Sequence, residues 1–90
     1  MSRVRVGVIG AGTWGKNHLR ALAGHPEAEL VAVCDTAAKV RERVARQYPG
    51  VKVTQDPAEL LGEVEAVVIA SPATTHADLA RQAVAAGVPA

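Results

Sequence analysis

Three glycines and one acid near the start of the chain carry the clearest chemical signal. Gly10, Gly12 and Gly15 follow an apolar stretch at the spacing G-x-G-x-x-G, and Asp35 closes the next apolar stretch. Glycines at this spacing allow a tight turn, let backbone N–H groups approach a charged ligand, and let a helix pack close to a strand. Free N–H groups at a helix N-terminus, with a carboxylate nearby for sugar hydroxyls, indicate a dinucleotide-binding site.

This turn predicts which residues contact the phosphates and the ribose. The predicted contacts of the turn are Gly10, Ala11, Gly12, Thr13, Trp14 and Gly15. Asp35 lies 25 positions after Gly10, close to where a ribose-binding acid is expected, and its charge would repel a 2′-phosphate. Neither position 36 nor position 37 is an arginine that could receive such a phosphate. The sequence therefore favours NAD over NADP as the cofactor.

Each of these residues also has a simpler structural interpretation. The glycines could form a plain turn between a strand and a helix, and Asp35 could cap the helix that follows it. Trp14 could lean over a ligand or fix the turn against neighbouring structure. Cys34 lies within an apolar stretch and is most simply a small core residue.

A second group of candidate residues follows the fourth apolar stretch. The predicted cofactor contacts in this group are Ser71, Pro72, Thr74 and His76. Ligands of open parallel sheets bind beyond the carboxyl ends of the strands, at the point where the strand order reverses. Short hydroxyl side chains at that edge could face the ribose or the phosphates. His76 could either hydrogen-bond within its own loop or line the nicotinamide side of the cleft.

Alternating strands and helices would position both groups. Apolar runs predict strands at residues 4–9, 30–34, 51–54 and 64–70. Helical spacing and end signals predict helices at residues 13–23, 37–48, 57–61 and 75–86. Before the third helix, Asp56 predicts an N-cap, with Glu59 closing a capping box. The alternation indicates a Rossmann-like, three-layer α/β/α fold with a parallel sheet of order 3-2-1-4, truncated after four strands.

Composition narrows the class of protein and its partners. The chain has 90 residues, of which 49% are hydrophobic, as is typical of a globular domain. Ten basic and nine acidic residues leave a net charge of +1, so nothing favours nucleic acid or an anionic membrane as a partner. No apolar run reaches the roughly 18 residues of a membrane-spanning helix, and a single cysteine excludes an intrachain disulfide. We therefore expect a cytoplasmic protein.

The order of these motifs resembles one known family. Residues 7–12, Asp35 and residues 70–76 are together similar to the N-terminal domain of the Gfo/Idh/MocA oxidoreductases. That family commonly has Thr-Pro-Asn-x-x-His after its fourth strand. This chain matches the motif at Pro72 and His76, with serine in place of threonine and alanine in place of asparagine. The resemblance covers essentially the whole chain, as the N-terminal part of a dinucleotide-binding domain whose substrate domain is absent.

The resemblance also implies an activity and a set of partners. It implies hydride transfer between a nicotinamide cofactor and the hydroxyl carbon of a sugar, polyol or nucleotide sugar. In this family a Glu-Lys-Pro motif after the fifth strand supplies the catalytic lysine, and the chain ends before such a motif. We therefore assign no catalytic residue, expect the chain alone to be inactive, and expect the complete protein to be a homo-oligomer.

Two alternatives to this interpretation belong to other functional classes. The chain could be a non-enzymatic module that binds or senses a nucleotide. It could also be a truncated fragment that self-associates without cofactor through the open edge of its fourth strand.

Overall fold

A computed structural model describes residues 3–12, 15–70 and 73–89, with the backbone alone at 73–76. Within these residues the strands are β1 (Val4–Ile9), β2 (Ala28–Cys34), β3 (Lys52–Thr54) and β4 (Ala66–Ile69). The helices are α1 (Gly15–Ala23), α2 (Ala38–Gln47), α3 (Pro57–Leu61) and α4 (Ala73–Ala85). The strands form one parallel sheet in the order β3-β2-β1-β4. The predicted Rossmann-like α/β fold is therefore confirmed.

Helices cover both faces of the sheet. Successive strand residues point to opposite sides, so each strand contributes side chains to two cores. On one face, Leu19 of α1 and Val44 of α2 pack with the strand residues Val8 and Val33, and all four are buried. The core of the other face is formed by Ile9, Ala32, Cys34, Leu60, Leu61, Val67, Leu79, Ala83 and Val88. From β1 to β3 the chain moves across the sheet in one direction, and from β3 to β4 it moves back in the other direction. Because the crossovers are right-handed, α3 and α4 lie on the face of the sheet opposite to α1 and α2.

The starts of β2 and β4 each shift by two residues from their predicted positions, and strand pairing explains the shift of β2. β2 begins at Ala28, two residues before its predicted start, because Val4 pairs with Ala28 and Arg5 pairs with Glu29. The polar, exposed Glu29 interrupts the apolar run that marks β2 in the sequence. Backbone pairing with β1 extends the strand beyond its apolar part.

The start of α3 departs from the predicted capping box. Asp56 is the N-cap, and its Oδ1 accepts a hydrogen bond from the Ala58 N–H at 3.0 Å. The predicted reciprocal bond to Glu59 is wrong, because the Asp56 N–H donates to Thr54 Oγ1 at 3.1 Å. The Thr54 hydroxyl in turn donates to Glu59 Oε2 at 3.1 Å. A threonine at the end of β3 thus connects the two residues that were expected to bond directly.

Backbone hydrogen bonds continue one residue past the carboxyl ends of three strands. In each case the first residue after a strand donates its N–H to the last residue of a neighbouring strand: Gly10 to Cys34 at 2.8 Å, Asp35 to Thr54 at 3.1 Å, and Ala70 to Ile9 at 2.8 Å. We call Gly10, Asp35 and Ala70 the anchor row. The loops that hold the candidate site residues begin in this row.

After α4 the chain returns to the sheet. Gly87 has a φ of 74°, in the left-handed region that favours glycine at a helix end. The Val88 N–H then donates to the Ala83 carbonyl at 2.8 Å, and the Val67 N–H donates to the Pro89 carbonyl at 2.9 Å. Residues 88–89 therefore lie beside β4. Of the helices described here, none is long and apolar enough to cross a membrane.

Candidate functional site

The turn from β1 into α1 has the conformation that its glycines predict. Gly10 has a φ of 91°, in the left-handed region where side chains with a Cβ are strained. A Cβ on Gly15 would lie 1.9 Å from the Gly10 carbonyl oxygen, so α1 begins in direct contact with the turn. A Cβ on Gly12, in contrast, would meet no described atom within 4 Å. The protein itself requires Gly10 and Gly15, whereas no described atom fills the space beside Gly12, where a ligand could approach the backbone.

Asp35 joins this turn to the loop that follows β2. Its Oδ2 accepts a hydrogen bond from the Ala11 N–H, and its Oδ1 accepts one from the Ala37 N–H, both at 2.8 Å. A carboxylate oxygen can accept two hydrogen bonds, so each retains capacity for a ribose hydroxyl. Asp35 is not the N-cap of α2: that position is Ala37, which has extended backbone and no side-chain cap bond.

Two arginines of α2 bind backbone carbonyls at the same edge of the sheet. Arg41 Nη1 donates to the Asp35 carbonyl at 2.8 Å, and Arg43 Nη2 donates to the Ala11 carbonyl. Neither contact was predicted, because helical spacing alone places both arginines towards solvent. Long helical side chains, however, point towards the N-terminus of their helix. Arginines in the first two turns after a β–α loop are therefore the signal that could have indicated these contacts.

A cavity of about 340 Å³ lies between α1 and α2, and it is lined by Lys16, Arg20, Arg43, Gln47 and Tyr48. Three of its lining residues are cations and none is an acid. The cavity is on a helical face and does not include Gly12 or Asp35. Its cations add positive potential beside the turn, which favours the approach of an anionic ligand.

Cys34 is excluded from the chemistry of the site by its surroundings. It is 2% exposed and packs with Ile9 and Ala32 in the core. Burial, followed by the charges of Asp35 and Asp56, raises the pKa of its thiol to about 11. A buried thiol that is protonated at neutral pH is a poor nucleophile. The predicted core role of Cys34 is therefore confirmed.

The predicted site residues divide into three groups. Those that the structure brings together at one edge of the sheet are Gly10, Ala11, Gly12, Gly15 and Asp35. Those that lie outside the described residues are Thr13, Trp14, Ser71 and Pro72. Thr74 and His76 are placed by their backbone alone, within the first four residues of α4. Because β4 is adjacent to β1, the start of α4 belongs to the same edge as the glycine turn.

Comparison with known families accounts for this architecture. The model of the Gfo/Idh/MocA oxidoreductase family, described by its NAD-binding Rossmann fold, matches residues 4–90. Inositol 2-dehydrogenase of Rhizobium meliloti (strain 1021) is 42% identical to this chain over 84 residues, which are 93% of the chain and 26% of that protein.

Solved structures agree with the family match. GenD2 from gentamicin A biosynthesis, in complex with NAD, is 36% identical with a TM-score of 0.90, covering 98% of this chain and 26% of that one. The WlbA dehydrogenase of Bordetella pertussis, in complex with NADH and UDP-GlcNAcA, is 31% identical with a TM-score of 0.88. The match covers 96% of this chain and 27% of the WlbA chain. The chain thus spans about a quarter of the length of the relatives that it matches.

Proposed function

The chain belongs to the Gfo/Idh/MocA oxidoreductase family, and from this we propose that it binds NAD as the dinucleotide-binding part of a sugar or polyol dehydrogenase. The proposed reaction transfers hydride between nicotinamide and the hydroxyl carbon of a sugar, polyol or nucleotide sugar. The similarity to an inositol 2-dehydrogenase and to a dehydrogenase solved with UDP-GlcNAcA supports this substrate class. Bound NAD supplies a hydride acceptor to such a site. We assign no proton-transferring residue within this chain.

One contact carries the proposal: the 2.8 Å hydrogen bond from the Ala11 N–H to Asp35 Oδ2. It brings the predicted ribose-binding carboxylate against the predicted pyrophosphate-binding turn. The surroundings of Gly12 support the fit of a phosphate, because a Cβ there would meet no described atom within 4 Å and a ligand could come close to the backbone. These residues would hold the adenosine and pyrophosphate portion of the cofactor.

The charges beside the ribose position support NAD over NADP. Asp35 would repel a 2′-phosphate, and nearby Arg41 and Arg43 donate to backbone carbonyls. Because each guanidinium keeps further N–H donors, the carboxylate of Asp35 is the group that carries this preference. We therefore expect the full chain to bind NAD more tightly than NADP.

The proposal is tested by calorimetric titration of the full chain and of its Asp35→Ala variant, each with NAD and with NADP. The informative quantity is the ratio of the two dissociation constants, since any disturbance of the turn weakens both cofactors alike. We expect the preference for NAD to fall by about tenfold or more, as loss of hydrogen bonds to a charged group implies. Asp56→Ala is the matched control, because Asp56 also accepts the N–H of the residue two positions later. It should leave the ratio unchanged.

The outcomes separate the proposal from its alternatives. A folded chain that binds neither cofactor would contradict the proposed function and favour a self-associating fragment. An unchanged ratio in Asp35→Ala would remove Asp35 from the ribose contact. A homo-oligomeric state of the complete protein and a cytoplasmic location stay predictions.

A further inference from the structure

We propose that Arg43 is a positioning residue that aims the Gly12 N–H at the pyrophosphate. The inference rests on the proposed function and deepens it, because it assigns a role at the same site to a side chain on α2. Arg43 would act through the backbone of the turn, without itself touching the cofactor. Its guanidinium donates to the Ala11 carbonyl, and its side chain is partly buried.

The geometry of the peptide bond explains how such a contact acts. The Ala11 carbonyl and the Gly12 N–H belong to one planar peptide group, and the described chain contains no cis peptide. In a trans peptide the C=O and N–H bonds point in opposite directions. A guanidinium that holds the carbonyl on one side therefore directs the Gly12 N–H to the other side.

Among the described residues, no donor other than Arg43 holds the Ala11 carbonyl against rotation of this peptide. Glycine adopts many backbone conformations, and Gly12 has no side chain that could pack. A rotated peptide would present the Ala11 carbonyl oxygen to the ligand, where it would repel a phosphate. Arg43 opposes the rotation, because its guanidinium donates to the Ala11 carbonyl.

The neighbouring groups of the turn are held as well. Asp35 Oδ2 accepts the Ala11 N–H, and the Lys16 N–H donates to the Gly12 carbonyl at 3.1 Å. Three consecutive peptide groups are thus fixed, by Asp35, Arg43 and the first turn of α1 respectively. Only the middle one depends on a side chain that no cofactor-binding motif includes.

The first test is titration of the full chain carrying Arg43→Met, which keeps an apolar stem and removes the guanidinium. NAD should bind about tenfold more weakly, the effect of losing one charged hydrogen bond. Adenosine, which has no phosphate, should bind with an unchanged constant. Arg46→Met is the matched control: it removes the same charge from an exposed position in the last turn of α2. It should leave both constants unchanged.

A second measurement needs no ligand. The direction of the Gly12 N–H bond can be followed in the free chain by residual dipolar coupling of its ¹⁵N-labelled amide. Arg43→Met should change this direction, and Arg43→Lys, which can still donate to the carbonyl, should restore it in part. Circular dichroism establishes that each variant retains its helices, and Arg43→Lys serves as the second variant should Arg43→Met fail to fold.

Each result has a definite meaning. An unchanged Gly12 coupling in Arg43→Met would overturn the inference, as would equal losses of NAD affinity in Arg43→Met and Arg46→Met, which would indicate a general effect of charge. Weaker NAD binding with an unchanged coupling would mean that Arg43 contacts the phosphates directly. Failure of the unsubstituted chain to bind NAD would contradict the proposed function, while the dipolar coupling would still decide the role of Arg43.

Discussion

The two edges of the sheet use their charged residues differently. At the amino edge, where the strands begin, charged side chains mainly pair with one another: Lys52 lies 3.2 Å from Glu59 and 3.4 Å from Glu63. At the carboxyl edge, where the strands end, Asp35 and Arg43 bond to backbone groups of the glycine turn. At the amino edge the partners include both side chains and backbone groups, since Arg5 also donates to the Glu63 carbonyl and Glu65 accepts the Arg5 N–H. The bonds of Asp35 and Arg43 at the carboxyl edge all go to peptide groups.

This difference separates a solvent-exposed network from a binding site. Hydrogen bonds that Lys52 donates to Glu59 and Glu63 raise the pKa of Lys52. Hydrogen bonds from Lys52 and then from Thr54, at the other end of β3, lower the pKa of Glu59. These charged groups bond to one another while exposed to water, and such exposed pairs contribute little to the free energy of unfolding. At the carboxyl edge the charges set the direction of peptide groups. Charge that bonds to the glycine turn marks the edge where we propose that NAD binds.

Among the substitutions that test this comparison, Gly15→Ala should have the largest effect on stability. Its Cβ would lie 1.9 Å from the Gly10 oxygen and 2.7 Å from the Gly10 carbonyl carbon, and backbone atoms cannot move aside cheaply. We expect a loss of about 3 kcal/mol in the free energy of unfolding, the upper range for overpacking. Urea denaturation measures it. Gly50→Ala is the control, because a Cβ there meets no described atom within 4 Å; equal losses in both variants would contradict the close approach of α1.

Gly12→Val should separate binding from folding. A Cβ at position 12 would meet no described atom within 4 Å, so the helical circular-dichroism signal should remain. NAD binding should be lost, because the side chain would occupy the space that the phosphates need. Calorimetric titration checks the binding, with Gly50→Val as the control that should bind normally. If Gly12→Val binds NAD, this turn is not the pyrophosphate site.

The smallest effect should come from the amino edge. Arg5→Met removes a 3.0 Å hydrogen bond to the Glu63 carbonyl and a 4.0 Å contact with its carboxylate. Both side chains are nearly half exposed, so the free energy of unfolding should fall by no more than about 1 kcal/mol. NAD affinity should not change. A loss of NAD affinity in Arg5→Met, measured by the same titration, would show that the two edges are not independent.

The sequence predicted the fold well because its strongest signals are local. Apolar runs and glycine positions mark the strands and the β1–α1 turn, and the order of the elements restricts the topology. The family model and the parallel sheet confirm this part of the prediction. The start of β2 was misplaced because the polar Glu29 interrupts the apolar run, while pairing with β1 holds Ala28 and Glu29 in the strand.

Contacts between side chains and distant backbone were less predictable. Asp35 could be identified because it stands at a fixed distance after the glycines, but its bond to the Ala11 N–H depends on how the two loops meet. Arg43 lies 32 residues from its partner Ala11, and its residue type gives no sign of that partner. Thr54 likewise replaced the expected reciprocal bond at the start of α3. These contacts depend on the packing of elements, which no local pattern records.

The anchor row has a consequence for how such a domain can diversify. Gly10, Asp35 and Ala70 each give their N–H to a neighbouring strand, so the loops after β1, β2 and β4 depart from points already fixed by the sheet. A main-chain bond of this kind is the same for any residue except proline. Loop segments beyond the row can therefore be exchanged, lengthened or grafted from relatives while the strand ends stay in place. Altered ligand preference can thus be acquired loop by loop on an unaltered scaffold.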